Sequence, residues 1–354
     1  MSHPDVATVA DLHTFDAIID ARSPAEFAED RLPGAWNCPV LDDAERVRVG
    51  TMYAQESPFE ARKVGAALVA RNIARHLETR FAGYPRSWRP LIYCWRGGQR
   101  SGAMTLVLRQ IGWDARQLGG GYRAFRRSVV ADLEVLPALH RFHVVCGPTG
   151  SGKSRLLRAL AAQGAQVLDL EDLAAHRGSL LGDIPAAPQP SQKAFETRLW
   201  SALRGFDARR PVFVEAESKR IGRLRVPETL ILRMRASACL RVKSATPVRV
   251  DLLLDEYAHF LRAPASLTTI LDSLVPLHGH EVVRQWQRWI EAADWPTLVG
   301  DLLSRHYDPA YSRSVDAHFP GFVDAEEVTV AGLTDYDRIA AALAGRGNSR
   351  EAHA

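Results

Sequence analysis

Cysteine is scarce in this 354-residue chain. The four present, Cys38, Cys94, Cys146 and Cys239, form no CxxC pair and no Cys/His zinc spacing. A disulfide framework and a structural zinc site are therefore not expected. No apolar run reaches the roughly 18 residues that a membrane-spanning helix needs. The opening stretch, Met1-Ser2-His3-Pro4-Asp5, carries neither the basic nor the apolar part of a secretory leader. Together these absences predict a cytoplasmic protein with no membrane partner. What is present is ordinary globular material, 46% hydrophobic and 24% charged, and long enough for two or three domains.

Charge is small in sum, +4, but uneven along the chain. Residues 141–250 hold 19 Lys and Arg against 9 Asp and Glu, and residues 251–354 hold 8 against 16. A basic block of this kind suits a polyanionic partner such as a nucleic acid or nucleotide, or docks on the acidic last third.

The chemistry concentrates first at Cys94. The apolar run Leu91-Ile92-Tyr93 ends at Cys94, and Trp95-Arg96-Gly97-Gly98-Gln99-Arg100-Ser101 leads into an apolar, helix-like segment. Strand, loop and helix start bring backbone N–H groups and the positive helix end onto the thiol, with Arg96 and Arg100 adding charge. Such a setting favours a reactive thiolate and an anion in the same loop. Cys38, Cys146 and Cys239 lack these surroundings and read as buried, inert thiols.

Asp20-Ala21-Arg22-Ser23-Pro24-Ala25-Glu26-Phe27, Gly34-Ala35-Trp36-Asn37, the Cys94 loop and Gly119-Gly120-Gly121-Tyr122 together resemble a rhodanese domain. That resemblance implies a persulfide or other chalcogen carried on Cys94. The loop also satisfies Cys-x5-Arg-Ser, the cysteine-phosphatase signature, and is one residue longer than in ordinary sulfurtransferase rhodaneses. Two donors fit it: a phosphate ester, or a phosphate-like chalcogen donor.

A second anion site follows. The strand Arg141–Cys146 runs into Gly147-Pro148-Thr149-Gly150-Ser151-Gly152-Lys153-Ser154, a complete Walker A loop, and then an apolar helix. Its N–H groups cradle a diphosphate, Lys153 adds a point charge, and Ser154 is the candidate Mg²⁺ ligand. Pro211–Ser218 reads as a strand ending in Glu215 and Glu217, where a metal-linked acid is expected. Lys219, Arg220, Arg223 and Arg225 suit a phosphate backbone. The polar stretch from His176, Arg177 and Ser179 to Gln189, Ser191, Gln192 and Phe195 reads as a loop capping the phosphate site, able to read and stack a base. Beyond residue 245 the pattern turns helical, with Trp286, Trp289 and Trp295 as core. His306 and Tyr307 open a polar-aromatic island, and the tail from about Gly345 is expected to be disordered.

The chain therefore reads as α/β. A rhodanese-like parallel-sheet domain (1–138) precedes a P-loop NTPase-like α/β domain (139–244) and a helical C-terminal region (245–354). This combination resembles the tRNA 2-selenouridine synthase family. The likeness rests on Val49-Gly50-Thr51-Met52-Tyr53, the Cys94 loop, Gly147–Ser154, His176-Arg177-Gly178-Ser179, Gln189-Pro190-Ser191-Gln192, Glu215–Gly222 and His306-Tyr307-Asp308-Pro309. It implies a transferase acting on the wobble 2-thiouridine of tRNA. Geranyl diphosphate first alkylates the sulfur, and selenophosphate then supplies selenium in place of the geranyl thiol. On this reading Cys94 takes the selenium, and Arg96, Gly97, Gly98, Gln99, Arg100 and Ser101 cradle the departing phosphate. The P-loop holds the geranyl diphosphate, and an apolar groove for its chain lies nearby. The partners implied are tRNA and a selenophosphate-producing enzyme. No tightly bound cofactor is expected; Ser154 is the candidate Mg²⁺ ligand, and sequence leaves open whether Mg²⁺ is required. ATP-dependent tRNA thiolation and cysteine-phosphatase activity are the competing readings. Sequence leaves the oligomeric state open.

Overall fold

The computed structural model describes residues 6–185, 187–332 and 334–349. Contacts divide it into two compact units, Met1–Asp132 with Pro190–Ser201, and Leu133–Gln189 with Ala202–Ala354.

The first unit is built on a five-stranded sheet. Its strands are β1 (Val6–Ala7), β2 (Ala17–Asp20), β3 (Trp36–Asn37), β4 (Pro90–Tyr93) and β5 (Arg116–Leu118). They lie in the order β1-β5-β4-β2-β3, and every pairing is parallel. Parallel strands demand crossovers, which α1 (Pro24–Glu29), α2 (Asp43–Gln55), α3 (Pro58–His76), α4 (Gln99–Ile111) and α5 (Gly121–Leu139) help supply. Helix α1 starts where the sequence says: Pro24 is its first residue and the Glu26 carboxylate accepts from the Ser23 N–H at 3.1 Å. Ile19, Ile92, Phe81, Met104 and Leu108 are fully buried in the core. The central strand β4 is buried on both faces and ends directly at Cys94.

The second unit repeats the plan. Its strands include β6 (Phe142–Cys146), β7 (Gln166–Leu168) and β8 (Val212–Glu215). A small antiparallel pair, β9 (Arg220–Ile221) and β10 (Leu224–Arg225), stands apart. The main sheet is completed by β11 (Ala238–Ser244) and β12 (Glu326–Val330), in the order β12-β11-β6-β8-β7. All pairings of the main sheet are parallel. Its helices begin with α6 (Lys153–Ala162), α7 (Leu170–Ala174) and α9 (Glu228–Arg235), while α8 (Gln192–Gly205) counts with the first unit as far as Ser201. A helical array follows: α10 (Thr246–Glu256), α11 (Ala258–Arg262), α12 (Pro264–Asp272), α13 (Val275–His278), α14 (His280–Glu291), α15 (Trp295–Leu302) and α16 (Asp308–His318). The last helix is α17 (Asp335–Ser349).

Three expectations change. The region after 245 is helical but not only helical, since β12 closes the sheet against β11 and Tyr336, Ile339 and Leu343 of α17 join Leu156 and Leu160 of α6 in one core. The tail expected to be disordered from Gly345 continues as helix to Ser349, and its remainder lies outside the described residues. The stretch Pro190–Ser201, whose first part reads in sequence as a loop capping the phosphate site, is counted with the first unit. There Ser191 Oγ donates to Glu29 O at 2.5 Å, Thr197 Oγ1 donates to Asp30 Oδ2 at 3.0 Å, and Phe195 is fully buried.

Candidate functional site

Cys94 is the first residue past β4, and its sulfur is the focus of two donors. The Gly98 N–H donates to Sγ at 3.3 Å and Ser101 Oγ at 3.1 Å. Gln117 Nε2 donates to Ser101 Oγ at 2.7 Å and to Gly98 O at 2.9 Å, which leaves the Ser101 proton for the sulfur. The loop is fixed from behind as well. The first N–H groups of α5 hold its carbonyls, Tyr122 N–H on Cys94 O at 2.8 Å and Arg123 N–H on Trp95 O at 3.0 Å. This approach requires glycine. Gly97 (φ +65°) would place a Cβ 2.6 Å from Leu118 O, and Gly121 (φ +56°) would drive one into Cys94 O.

Of the two loop arginines, Arg96 is exposed and Arg100 is engaged. Arg100 forms a fork on Glu26, with Nη1 on Oε2 at 2.6 Å and Nη2 on Oε1 at 3.3 Å. Burial alone pushes the Glu26 carboxyl up, but the Arg100 bonds and charge hold it below the usual carboxylate range. Arg100, expected over the anion, thus faces a carboxylate here. Below it lies a buried keystone. Arg22, 1% exposed, bonds Asp20 through Nε and Nη2, donates to Asp30 O, and stacks 4.1 Å from the Tyr122 ring centroid. Tyr93 Oη donates to Asp20 Oδ2 at 2.6 Å. Glu26 was legible as a helix cap; its second role as an Arg100 partner was not. The other thiols are buried. Burial first, then Asp20, pushes Cys38 up to about 11 despite Arg80, and Cys146 is raised beside Cys239.

The second site is the loop after β6. Gly150 (φ +76°) and Gly152 (φ +82°) take left-handed backbone, and α6 begins at Lys153. Lys153 Nζ folds back onto the loop, donating to Gly147 O at 2.6 Å and Pro148 O at 3.4 Å. Ser154 Oγ donates to Glu171 Oε2 at 2.9 Å, and the Glu171 N–H donates to Glu215 Oε1 at 2.8 Å. Glu215 is almost fully buried, and its second oxygen has no hydrogen-bond partner among the described residues. Glu217 joins Glu171 around Gly178, where a Cβ would lie 2.6 Å from Glu217 Oε1 and 3.2 Å from Glu171 Oε1. Burial raises Glu171, Glu215 and Glu217, and mutual repulsion adds to it. Glu217 is pushed up to about 8. Hard cations take oxygen donors, but among the described residues no three acidic, histidine or cysteine side chains are arranged to hold a metal ion by themselves.

Lys153, Ser154, Glu171, Glu217, Arg177 and Tyr307 share a cavity of about 1070 Å³. Several expected contacts meet there. Arg177 stacks 4.8 Å from the Tyr257 ring centroid and donates to Glu256 O, while Ser179 Oγ lies 3.3 Å from Tyr257 Oη. His176 is buried, its Nδ1 accepting from the Gly178 N–H at 3.0 Å, and burial lowers its pKa despite Asp183. Tyr307 ends a π-helical turn, Leu303–Tyr307, inserted between α15 and α16, an irregularity common at functional sites. His306 turns elsewhere, its Nδ1 3.0 Å from His278 Nε2.

Other expected contacts do not face the cavity as free groups. Gln189 spends its amide on backbone, donating to Ala174 O and Ile221 O and accepting from the Arg223 N–H. Ser191 and Gln192 lie in the first unit. Lys219 and Arg220 are exposed, and Lys219 pairs with Glu228 at 3.4 Å. Two participants had no sequence signal. Arg249, 5% exposed, donates to Thr149 O at 2.9 Å and forks onto Asp308 at 2.6 and 3.0 Å, tying the phosphate loop to α16. Tyr336 sets its hydroxyl against Gly152, without a partner among the described residues.

Residues 140–270 match the family model described as the tRNA 2-selenouridine synthase AAA domain, and residues 6–128 match the rhodanese-like domain. A tRNA 2-selenouridine synthase of Nitrosomonas europaea is 33% identical over 280 residues, 77% of this chain and 72% of that protein. One of Bdellovibrio bacteriovorus is 36% identical over 340 residues, 84% of this chain and 89% of that protein. Among solved structures, a rhodanese-related protein of Thermoplasma volcanium is 16% identical, covering 35% of this chain and 91% of its own, with a TM-score of 0.23.

Proposed function

Because the chain belongs to the tRNA 2-selenouridine synthase family, we propose that it replaces the sulfur of a wobble 2-thiouridine by selenium in two steps, at two sites. The observation that carries this reading is the pairing, in one chain, of a thiol under two hydrogen-bond donors with a separate diphosphate loop.

In the first step the P-loop holds geranyl diphosphate. The 2-thiouridine sulfur attacks C1 of the geranyl group, the C1–O bond breaks with its electron pair leaving on diphosphate, and the base loses its N3 proton. Loop N–H groups and Lys153, released from Gly147 O, neutralise the leaving charge. Ser154 and Glu171 are the residues that would hold Mg²⁺, which would neutralise diphosphate charge further. Alkylation turns sulfur into a better leaving group.

In the second step the Cys94 thiolate attacks the selenium of selenophosphate. An S–Se bond forms and the Se–P bond breaks, leaving its electron pair on phosphorus, so the group that departs by this route is phosphite rather than the phosphate expected from the sequence. The terminal selenium then attacks C2 of the base and geranyl thiolate leaves. Two small thiols cleave the remaining S–Se bond: one attacks Cys94 Sγ and expels the selenolate of the base, the second frees the Cys94 thiolate, and the pair leaves as a disulfide. The cradle is the Gly98 N–H, Ser101 Oγ and the exposed Arg96; Arg100 joins only by leaving Glu26. A selenophosphate-producing enzyme is the implied supplier.

A second reading has its own observation, the five residues between Cys94 and Arg100. Selenophosphate selenium displaces geranyl thiolate directly; Cys94 then attacks phosphorus, the P–Se bond breaks with its electron pair on selenium, and water hydrolyses the S-phosphoryl group to phosphate, without redox change. Mass spectrometry of the Cys94 peptide after selenophosphate treatment separates the two. A selenium isotope envelope on Cys94 supports the first reading, and a phosphoryl adduct of nearly equal mass overturns it.

A further inference from the structure

Arg100 stands in the first turn of α4, between Gly98 and Ser101, the two residues whose donors meet the Cys94 sulfur. Its side chain starts beside the thiol, yet its guanidinium is forked on Glu26. No other acceptor among the described residues holds it. Glu26 is much less free to move. Its Oε2 also accepts from the Ser23 N–H at 3.1 Å, and the neighbouring Ala25 N–H donates to Asp43 Oδ1 at 3.0 Å, so the turn that carries it is fixed at two points. The Arg100 and Glu26 side chains are 17% and 21% exposed, shielded enough for the pair to count and open enough for an exchange. Of the two partners, the long arginine is the one that can swing.

A guanidinium exchanges one fork for another when the new acceptor offers two oxygens and more negative charge than the old. A carboxylate carries one charge, and a phosphoryl group at neutral pH carries close to two. Chloride, bicarbonate or a free carboxylate does no better than Glu26, which is already in place. We propose that Glu26 is a positioning residue that selects the anions of the Cys94 loop: it keeps Arg100 out of the cradle until a phosphoryl group draws the guanidinium across. The proposal rests on the reading that this loop takes a phosphate-bearing donor. A cradle with Arg100 always inside would hold any small anion and block the thiol. The latch leaves the sulfur to its neutral donors, the Gly98 N–H and Ser101 Oγ, and adds charge only when the donor arrives.

Protection of Cys94 from iodoacetamide by inorganic phosphate tests this on the full chain, with the modified peptide read by mass spectrometry. Glu26→Gln keeps an acceptor for the Ser23 N–H but has no charge to hold Arg100. It should lower the half-protecting phosphate concentration by about ten-fold, the worth of one released charge-assisted bond. Adding Arg100→Ala to Glu26→Gln should return that concentration to the wild-type value or above it. Glu29→Gln removes a charge from the same helix, one that pairs with Lys193 and not with Arg100, and should leave the value within about two-fold. If Glu29→Gln tightens phosphate as much as Glu26→Gln does, general charge removal replaces the latch. If Glu26→Gln protects no better than wild type, or the double variant keeps the gain, Glu26 does not govern Arg100 and the proposal falls alone. If phosphate protects none of the chains, the phosphate-cradle reading falls and takes the latch with it.

Discussion

Replacing Gly121 by alanine should disrupt the Cys94 loop from behind. The new Cβ would lie well inside contact with Cys94 O and Gly97 N and 3.0 Å from Arg96 C, all backbone atoms with no flexible end to swing aside. The φ of +56° adds its own cost. Left-handed backbone costs a residue with a Cβ roughly 1–2 kcal/mol, and forcing packed atoms apart costs roughly 1–3 kcal/mol more. A loss of about 2–5 kcal/mol should lower the melting temperature of a unit this size by roughly 5–15 °C. Gly34→Ala is the control. Gly34 has φ +72° but nothing within 4 Å of the added Cβ, so it bears the conformational cost alone. Thermal denaturation followed by circular dichroism should show Gly121→Ala losing at least twice what Gly34→Ala loses. 2-Selenouridine formation should fall more than ten-fold in the first variant and stay near wild type in the second. Equal losses in the two, with selenation intact, would refute the close backbone approach as the reason for glycine.

Ser101→Ala removes one of the two donors on Cys94, a bond to a charged acceptor once the thiolate forms. The alkylation rate of Cys94 by iodoacetamide at neutral pH should fall by about ten-fold, and an unchanged rate would contradict the arrangement. Arg249→Ala cuts the tie between Thr149 O and Asp308. Pyrophosphate affinity should fall by about ten-fold and stability by roughly 1–3 kcal/mol, moderated because Asp308 is partly exposed. Glu217 links stability to pH. Its folded pKa, raised to about 8 by burial and then by Glu171, lies above the ordinary 4.5, so between these values the folded state binds more proton than the unfolded. Stability therefore falls as pH rises from about 5 to 8, and Glu217→Gln should flatten that slope in metal-free melts by up to a few kcal/mol.

Both anion loops were legible because each is local: a strand end, glycines and a helix start in consecutive residues. The parallel sheets followed from the same alternation. What sequence reasoning missed is non-local. Strand β12, Glu326–Val330, is short, charged on its exposed side and far from β11 in the chain, so no pattern announces the pairing. The stretch from His176 to Phe195 looked like one polar cap because Gln and Ser are conspicuous at its end. Its last residues and Thr197 pack within the first unit: Phe195 is buried, and Ser191 and Thr197 bond to Glu29 and Asp30, contacts that no local pattern announces. Arg100 looked like a free cation because its partner, Glu26, is 74 residues away and already explained as a helix cap.

The central claim is that alkylation and selenium delivery are separate events, one at the P-loop and one at Cys94. Nucleoside mass analysis of 2-thiouridine tRNA, incubated with the Cys94→Ala chain, geranyl diphosphate and selenophosphate, tests it most directly. S-geranyl-2-thiouridine should accumulate and no 2-selenouridine should form. Selenation at the wild-type level, or loss of the geranylated nucleoside together with the selenated one, would contradict it.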